Sequence, residues 1–353
     1  MKGTTRGLIA TVTLLLSTYA GAQTITPVAV SSADTAAAAG ATSSPKRVFP
    51  ALTPAGASYK DTMMSALKGP PLVPFTNTTN NRYPGDLTYQ GGSYMQSAQF
   101  HAIYLFDSIT NGAPGCTPYN IVACWSTPET FLANYGKSDF VHITDQYVQT
   151  SANGRYTVGG NGGVYYPAGA PHTLYDADIQ AIVHLAATYY GYPNGYNGVF
   201  HVFLPPGTDE CFAPGSVCYS PDVPSTFAFC AYHSSAVFSD IGETIYSVEP
   251  SQNVPGCSVP PGSPNGQLAD STNNVLSHET TELITDPDGN AWWNPSDVGL
   301  SGEEIGDECE FVVYTSTGEY FNPSVFRMNG VKYAIQPEYS NIGHACRVTM
   351  QSE

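Results

Sequence analysis

Eight cysteines between Cys116 and Cys346 constrain the fold more than any other feature of the sequence. An even number of cysteines in an exported chain indicates disulfide bonds rather than free thiols. No two cysteines are separated by only two residues, so zinc–thiolate sites are disfavoured. The spacing favours pairing between neighbours, and the predicted disulfides are Cys116–Cys124, Cys211–Cys218, Cys230–Cys257 and Cys309–Cys346.

The N-terminus has the form of a secretory signal peptide. Two basic residues precede an apolar stretch that ends at Leu16, and Ala20-Gly21-Ala22 provides a cleavage site of small residues. We expect residues 1–22 to be removed and the protein to be secreted into an extracellular space, or into the periplasm of a bacterium. The apolar stretch is too short for a stable transmembrane helix, and no later stretch is long enough, so no membrane partner is predicted.

The chain is strongly acidic. Its formal net charge is −17, from 12 basic and 29 acidic residues. The signal peptide contains two basic residues and no acid, which leaves 10 basic and 29 acidic residues and a net charge of −19. Such a charge disfavours nucleic acid and anionic membranes as partners. It suits a secreted protein that binds divalent cations, although solubility alone also explains it.

Composition divides the remaining chain into two parts. Residues 23–80 are rich in Ala, Ser, Thr and Pro without a usable period, which indicates a flexible linker or a pro-segment. Residues 81–353 alternate candidate strands and helices. They predict a single α/β (α+β) domain, zincin-like, with a mixed sheet, a motif-bearing helix and disulfide-tied loops. The predicted elements are a strand within 89–107, a helix within 174–195, a strand within 198–207, a helix within 267–290 and a closing strand within 330–340.

A candidate metal site lies in the second predicted helix, where residues 278–282 read HETTE. His278 and Glu282 are four residues apart, so both side chains project from one helix face and can bind one ion. Glu279 takes the position of the general base in zinc peptidases with an H-E-x-x-H motif. Zinc accepts imidazole nitrogen and carboxylate oxygen, and a catalytic zinc site has three protein ligands and one open position.

The third ligand is expected from the acidic segment 302–309, which Cys309 anchors. Glu304 is the first candidate, because it follows Glu282 by 22 residues in the sequence, which leaves room for a turn and a return segment. Asp307 is the second candidate, and its alternative role is to orient His278 by a hydrogen bond.

Other interpretations compete with a zinc site. A polar helix face without metal explains the HETTE string alone, but apolar residues beside it indicate a buried helix, where an unpaired Glu282 is costly. Residues 286–290 read DPDGN, which resembles the start of a calcium loop, yet no bidentate Glu follows, so a turn is favoured. His233 is interpreted as a structural histidine in a disulfide loop. His233 and Tyr339 are also the two candidates for stabilising an oxyanion.

Six segments together resemble the EXORDIUM or phosphate-induced-protein family, particularly its secreted bacterial and fungal members. They are YQGGSYM, NGVFHVFLPPG, FCAYHSS, VLSHETTELITDPDGNAWW, GEEIGDEC and IQPEYSNIGHAC, and they span residues 89–346. In that family the helix string reads H-E-x-x-E, so the resemblance implies that Glu282 belongs to the motif. The matching positions are His278, Glu279, Glu282, Glu304 and Asp307. The resemblance also implies secretion, since the plant members are apoplastic proteins linked to growth responses, but it leaves the reaction open.

The resulting hypothesis is a secreted zinc-dependent hydrolase, specifically a metallopeptidase. Glu279 is the predicted base, His278 and Glu282 are ligands, and Glu304 or Asp307 is the third ligand. The alternative is a non-catalytic extracellular protein that binds cell-wall glycan and holds a structural metal. A third hypothesis is a wall protein stabilised by calcium.

Overall fold

The computed structural model describes residues 25–59, 86–107, 116–117, 120–166, 173–295, 303–310, 320–321 and 323–350. The predicted signal peptide therefore lies outside the described residues. The strands of the described chain are β1 (Val28–Ala29), β2 (Thr42–Ser43), β3 (Arg47–Pro50), β4 (Thr88–Tyr89), β5 (Ala98–Asp107), β6 (Tyr156–Val158), β7 (Gly162–Tyr166), β8 (Thr173–Tyr175), β9 (Gly198–Phe203), β10 (Asp209–Cys211), β11 (Cys218–Tyr219), β12 (Phe229–Phe238), β13 (Gly242–Glu249), β14 (Trp292–Trp293), β15 (Ser324–Met328), β16 (Val331–Ile335), β17 (Glu338–Ser340) and β18 (Ala345–Arg347).

The α-helices vary from one turn to nineteen residues. They are α1 (Ser32–Ala39), α2 (Val122–Trp125), α3 (Pro128–Tyr135), α4 (Asp145–Val148), α5 (Asp176–Tyr190), α6 (Gln267–Thr285) and α7 (Asp307–Glu310). Residues 54–59 are also helical, and 3-10 turns occupy Val141–Thr144 and Gly195–Asn197. Within the described residues, no helix combines the length and the apolar character needed to cross a membrane.

A mixed nine-stranded sheet forms the centre of the protein. Its main order is β1-β7-β5-β9-β13-β12-β2, with β6 paired to β5 and β3 paired to β12. The pairs from β1 to β13 are parallel, whereas β12 runs antiparallel to β13, β2 and β3. The predicted α/β class with a mixed sheet is confirmed.

Helices cover both faces of this sheet. On one face, Ile179 and Ile182 of α5 pack with Phe200 and Val202 of β9 in one apolar cluster. On the other face, α6 and α3 share a second cluster with alternate strand residues, including Phe100 and Val199. Central strands buried on both sides read as continuous apolar runs, which explains the sequence GVFHVF of β9.

Most predicted elements are confirmed, with shifts at their ends. Strand β5 lies in the second half of 89–107, α5 within 174–195, β9 within 198–207 and α6 within 267–290. The single closing strand predicted at 330–340 is wrong. Two strands, β16 and β17, occupy that region, because Pro337 lacks the N–H that a continuous ladder needs.

Residues 25–59 do not form a flexible linker, so that part of the linker prediction is wrong. The strands β1, β2 and β3 all pair with the central sheet. Helix α1 begins with a capping box in which Ser31 and Asp34 exchange hydrogen bonds. Val48 and Phe49 are buried in the core, which stabilises this segment beyond what its composition indicates. The pro-segment alternative remains a prediction, and residues 60–80 lie outside the described residues.

All four predicted disulfides are confirmed. Three of them close loops of 27 residues or fewer along the sequence, while Cys309–Cys346 closes 37 residues. This last disulfide connects α7 to β18 and so holds the acidic segment against the C-terminal hairpin. Four disulfides fit an extracellular protein, because such bonds persist in oxidising compartments.

Candidate metal centre

The HETTE residues lie on α6, a helix buried over most of its length. The helix begins after Gly266 and ends before Pro287, and every residue from Ala269 to Thr285 is buried. Its hydroxyl side chains are satisfied within the helix, since Thr280 donates to the carbonyl of Leu276 at 2.5 Å and Thr281 to that of Ser277 at 2.7 Å. Its buried ionisable side chains therefore need partners from other elements.

The first group of potential ligands consists of His278, Glu282 and Asp307. Their ligand atoms all lie within 4.8 Å of one another. His278 and Glu282 are fully buried, and the side chain of Asp307 is 13% exposed. His278 Nε2 is 3.1 Å from Glu282 Oε2 and 3.7 Å from Asp307 Oδ1. One imidazole nitrogen and two carboxylate oxygens at these separations match the donor types that zinc accepts.

Asp307 is held in place by the chain around it. Its backbone N–H donates to Glu282 Oε1 at 3.2 Å, and its Oδ2 accepts from the N–H of Glu304 at 3.2 Å. The preceding residues are fixed by the C-terminal segment, where Gln336 Nε2 donates to the carbonyl of Gly306 and Tyr339 N–H donates to that of Ile305. The acidic segment thus reaches α6 as a hydrogen-bonded unit.

Glu304 and Asp307 occupy different parts of the site. Asp307 approaches His278, whereas Glu304 Oε1 lies 3.8 Å from His233 Nε2 and Glu304 Oε2 lies 3.5 Å from Arg47 Nε. The structure therefore favours Asp307 over Glu304 as the third ligand of the His278–Glu282 pair. Asp307 Oδ1 approaches the same Nε2 that faces Glu282, which favours a shared ion over a purely orienting role for this carboxylate.

A second group contains His233, Glu279 and Glu282. His233 Nδ1 lies 3.1 Å from Glu279 Oε2 and 3.5 Å from Glu282 Oε2, and all three side chains are buried. His233 belongs to strand β12, and strand register places it opposite Ser247 on one side and Arg47 on the other. Its interpretation as a structural histidine of a disulfide loop is wrong, because its side chain faces the carboxylates of α6.

Three further residues of the site have no place in the sequence prediction. Arg47 and Phe49 come from β3: Arg47 Nη2 donates to the carbonyl of Gly289 at 2.7 Å, and the Phe49 ring packs edge-on against His278 with centroids 4.5 Å apart. Glu338 of β17 is fully buried, and its charge interacts with Glu282 and Asp307. Glu338 stands in the segment IQPEYSN, next to the proline that precedes β17.

Burial dominates the electrostatics of the centre. It raises the pKa of Glu279, Glu282, Glu304 and Glu338 well above the usual value, and neighbouring carboxylates add to the shift for Glu279 and Glu282. Burial also lowers the pKa of His233 to about 3, with the charge of Arg47 acting in the same direction. A divalent cation opposes the effect of burial on the carboxylates, because it stabilises their ionised form, and like burial it favours neutral imidazole.

The DPDGN segment forms a turn, which is the interpretation that the sequence favoured over a calcium loop. Asp286 Oδ1 accepts hydrogen bonds of 2.6 Å from the N–H groups of both Asn290 and Ala291, which closes the turn after α6. Asp288 Oδ2 accepts a hydrogen bond of 2.6 Å from the Tyr196 hydroxyl. These contacts use one oxygen of each of the two carboxylates in protein hydrogen bonds.

Comparisons with known proteins add no further constraint, since the chain matches no family model, no curated protein and no solved structure.

Proposed function

We propose that the protein is a secreted metal-dependent hydrolase that uses zinc to cleave peptide bonds. The observation that carries the proposal is the convergence of His278, Glu282 and Asp307, with Glu279 beside them on α6. Two distant segments of the chain supply these residues. Helix α6 carries His278, Glu279 and Glu282, and helix α7 begins with Asp307. The resemblance to EXORDIUM-like proteins supports secretion and the same motif positions.

The proposed roles follow from position. Zinc at this site would polarise a carbonyl and acidify a water molecule. His278, Glu282 and Asp307 would hold it, and Glu279 would take the proton of the attacking water, since its Oε1 is buried without a hydrogen-bond partner among the described residues. His233 orients Glu279 through the 3.1 Å contact between its Nδ1 and Glu279 Oε2.

Strand β3 supports a peptide as the substrate class. It pairs antiparallel with β12 immediately beside the centre, with Arg47 opposite His233. An extended peptide added to a sheet edge is a common mode of peptide recognition. In this structure β3 itself occupies the place of such a peptide beside β12. Arg47 contacts Glu304, and Phe49 packs against His278. We therefore propose that residues 25–59 act as the pro-segment of the hydrolase and leave the β12 edge when a substrate binds.

Metal analysis and a peptidase assay test this proposal together. The protein is purified without chelator, its zinc content is measured, and hydrolysis of an unstructured protein substrate is followed before and after limited proteolysis. We expect bound zinc, and hydrolysis that a Glu279→Gln substitution abolishes while zinc remains on His278, Glu282 and Asp307. Glu210→Gln is the matched control, because Glu210 is equally buried but belongs to β10 and bonds to Tyr232. Absence of zinc from the unsubstituted protein contradicts the proposal.

A non-catalytic role with a structural metal is the second candidate. It is favoured by burial, since His278, Glu279, Glu282 and Glu304 have no exposed area. A structural site has no need of substrate access, and its ligands are closed off by protein. In that case zinc raises the melting temperature, Glu279→Gln changes neither folding nor metal content, and the protein sediments with insoluble cell-wall glycan without cleaving any peptide.

A further inference from the structure

We infer that the centre is dinuclear, with a second divalent cation held by His233 and Glu279 and bridged to the first by Glu282. The inference rests on the proposed function for the first ion, bound by His278, Glu282 and Asp307. It adds a second ion site and names the class of chemistry as two-metal hydrolysis. The first support is that the two ligand groups are separate sets that share only Glu282.

The distances fit one ion in each group. Ligand atoms about 2.1 Å from a tetrahedral zinc are separated by roughly 3.4 Å along the edges of the tetrahedron. In the first group the separations from His278 Nε2 are 3.1 and 3.7 Å. In the second group the separations from His233 Nδ1 are 3.1 and 3.5 Å. The second group is therefore as compact as the first.

Glu282 is placed to serve both groups with one oxygen. Its Oε1 accepts the N–H of Asp307 at 3.2 Å, which fixes the carboxylate plane. Its Oε2 faces His278 Nε2 at 3.1 Å and His233 Nδ1 at 3.5 Å. A single oxygen between two imidazoles is the arrangement of a bridging ligand, and paired catalytic ions lie about 3.5–4 Å apart.

The hydrogen bonding of His233 favours a cation at its Nδ1. His233 Nε2 lies 3.3 Å from the backbone carbonyl oxygen of Asp286, which accepts a proton but cannot donate one. A proton on Nε2 satisfies that carbonyl and leaves the lone pair of Nδ1 facing the carboxylates of Glu279 and Glu282. A cation between these atoms would be bound by Nδ1 together with the carboxylate oxygens, and the carbonyl of Asp286 would orient the ring as in other metal-bound histidines.

The charge of the buried centre also favours two cations over one. Glu279, Glu282, Asp286, Glu304, Asp307 and Glu338 contribute six carboxylates, and Arg47 contributes one cationic group. If all six carboxylates are ionised, the formal charge is −5, so one divalent cation leaves an excess of −3 and two leave only −1. Glu279 Oε1 and both oxygens of Glu338 are buried without a hydrogen-bond partner in the described part of the chain. Such oxygens are costly to bury unless they bind a cation or a water held by one.

Metal stoichiometry tests the inference on the full-length mature chain. The protein is loaded with zinc, freed of excess metal and analysed for zinc per chain, and the same is done for His233→Ala and for His201→Ala. We expect two zinc ions in the unsubstituted protein, one in His233→Ala, and two in His201→Ala. His201 is a matched control, because it is a buried histidine on β9 of the same sheet whose Nδ1 contacts Ser247 rather than a carboxylate of α6.

A second measurement covers the case in which His233→Ala does not fold. The unsubstituted protein is loaded with manganese(II), and exchange coupling between two ions is sought by electron paramagnetic resonance. Coupled spectra that revert to a single-ion spectrum in Glu279→Gln support a second ion held by Glu279 beside the first. One zinc per chain together with an uncoupled spectrum overturns the dinuclear centre but leaves the proposed function intact. No bound metal in any form of the protein overturns both.

Discussion

At the scale of single residues, the centre depends on one position where a side chain cannot be accommodated. A Cβ atom on Gly306 would lie 2.5 Å from His278 Nδ1 and 2.9 Å from Glu282 Oε1. The absence of a Cβ therefore lets the acidic segment approach α6 closely enough for Asp307 to reach His278. The glycine of the E-I-G-D string is thus explained by packing against two ligands.

Gly306→Ala is predicted to weaken zinc binding by about 10–100-fold, because it displaces both His278 and Glu282 from the ion. Zinc affinity is measured by competition with a chelator. Gly40→Ala is the control, since its added Cβ meets only ordinary contacts of 3.7 and 3.8 Å. Equal affinities in the two variants would show that the segment 303–310 does not determine the site.

The sequence predicted the part of this site that lies on helix α6, but not which residues of other elements contact it. The spacing of His278 and Glu282 on one helix face depends only on local geometry, and the structure brings them together as predicted. Choosing between Glu304 and Asp307 needed the path of a loop, which is set by Gln336 and other distant residues. The contact of His233 with the carboxylates of α6 was not predicted, because alternation along a strand shows which residues share a face, but not which helix covers that face.

At the scale of elements, β3 connects the N-terminal segment to the centre. The two neighbouring basic residues contact different parts of the protein. Arg47 Nε lies 3.5 Å from Glu304 Oε2 in the centre, whereas Lys46 Nζ pairs with Asp176 Oδ2 of α5 at 2.8 Å. Composition alone predicted a linker, because the large apolar residues of residues 25–59 are few among many small residues and show no period. Their tertiary pairing with β12 decides the structure.

Arg47→Met is predicted to change metal binding, whereas Lys46→Met is predicted to change stability alone. Removing the guanidinium leaves Glu304 buried without its cationic neighbour, and breaking such a pair costs about 3–5 kcal/mol. We expect altered zinc affinity and a lower free energy of unfolding for Arg47→Met. Lys46→Met should keep the zinc affinity of the unsubstituted protein. Unfolding by urea and zinc competition measure the two quantities, and identical effects of the two substitutions would contradict the prediction.

Docking of α1 onto α5 is predicted to depend on pH through His184. Its Nδ1 contacts Asp34 of α1 at 2.8 Å and its Nε2 contacts Asp240 at 3.0 Å. Burial alone lowers the pKa of His184, but these two carboxylates together raise it above the usual value. The protonated histidine therefore stabilises the folded state fully below its unfolded pKa of about 6.5, and this contribution is lost as pH rises through the folded pKa.

His184→Gln separates this effect from other titrations. The free energy of unfolding is measured for both proteins between about pH 6 and pH 9. The unsubstituted protein should be more stable at the lower end, and the difference between the two should shrink as pH rises. A difference that stays constant over this range would show that His184 does not titrate in the interval.

At the scale of the whole molecule, the disulfides divide into those that close local loops and one that supports the centre. Cys309 lies on α7 two residues after Asp307, and its partner Cys346 lies on β18. The Cys116–Cys124 disulfide closes only an eight-residue separation and lies far from the acidic segment in sequence. Comparing the two disulfides therefore separates the effect of loop length on stability from the effect of α7 position on metal binding.

Replacing both Cys309 and Cys346 by serine is predicted to destabilise the protein by roughly 4 kcal/mol, against roughly 2.5 kcal/mol for the Cys116–Cys124 pair, from loop-closure entropy. Only the first replacement is expected to weaken zinc binding as well, because it releases α7. Thermal unfolding and zinc competition on both double variants are the measurements. Equal zinc affinities would show that hydrogen bonds to β17 suffice to position Asp307.

The contact between Arg47 and Gly289 joins residues 242 positions apart along the chain. A ribosome synthesises Arg47 early, whereas His233 follows only after about two thirds of the 353 residues, and Glu304 and Asp307 lie within the last 50 residues. The centre therefore cannot assemble until synthesis is nearly complete. In the proposed secreted metalloprotein, the ion is then the one that the surroundings of the finished chain supply.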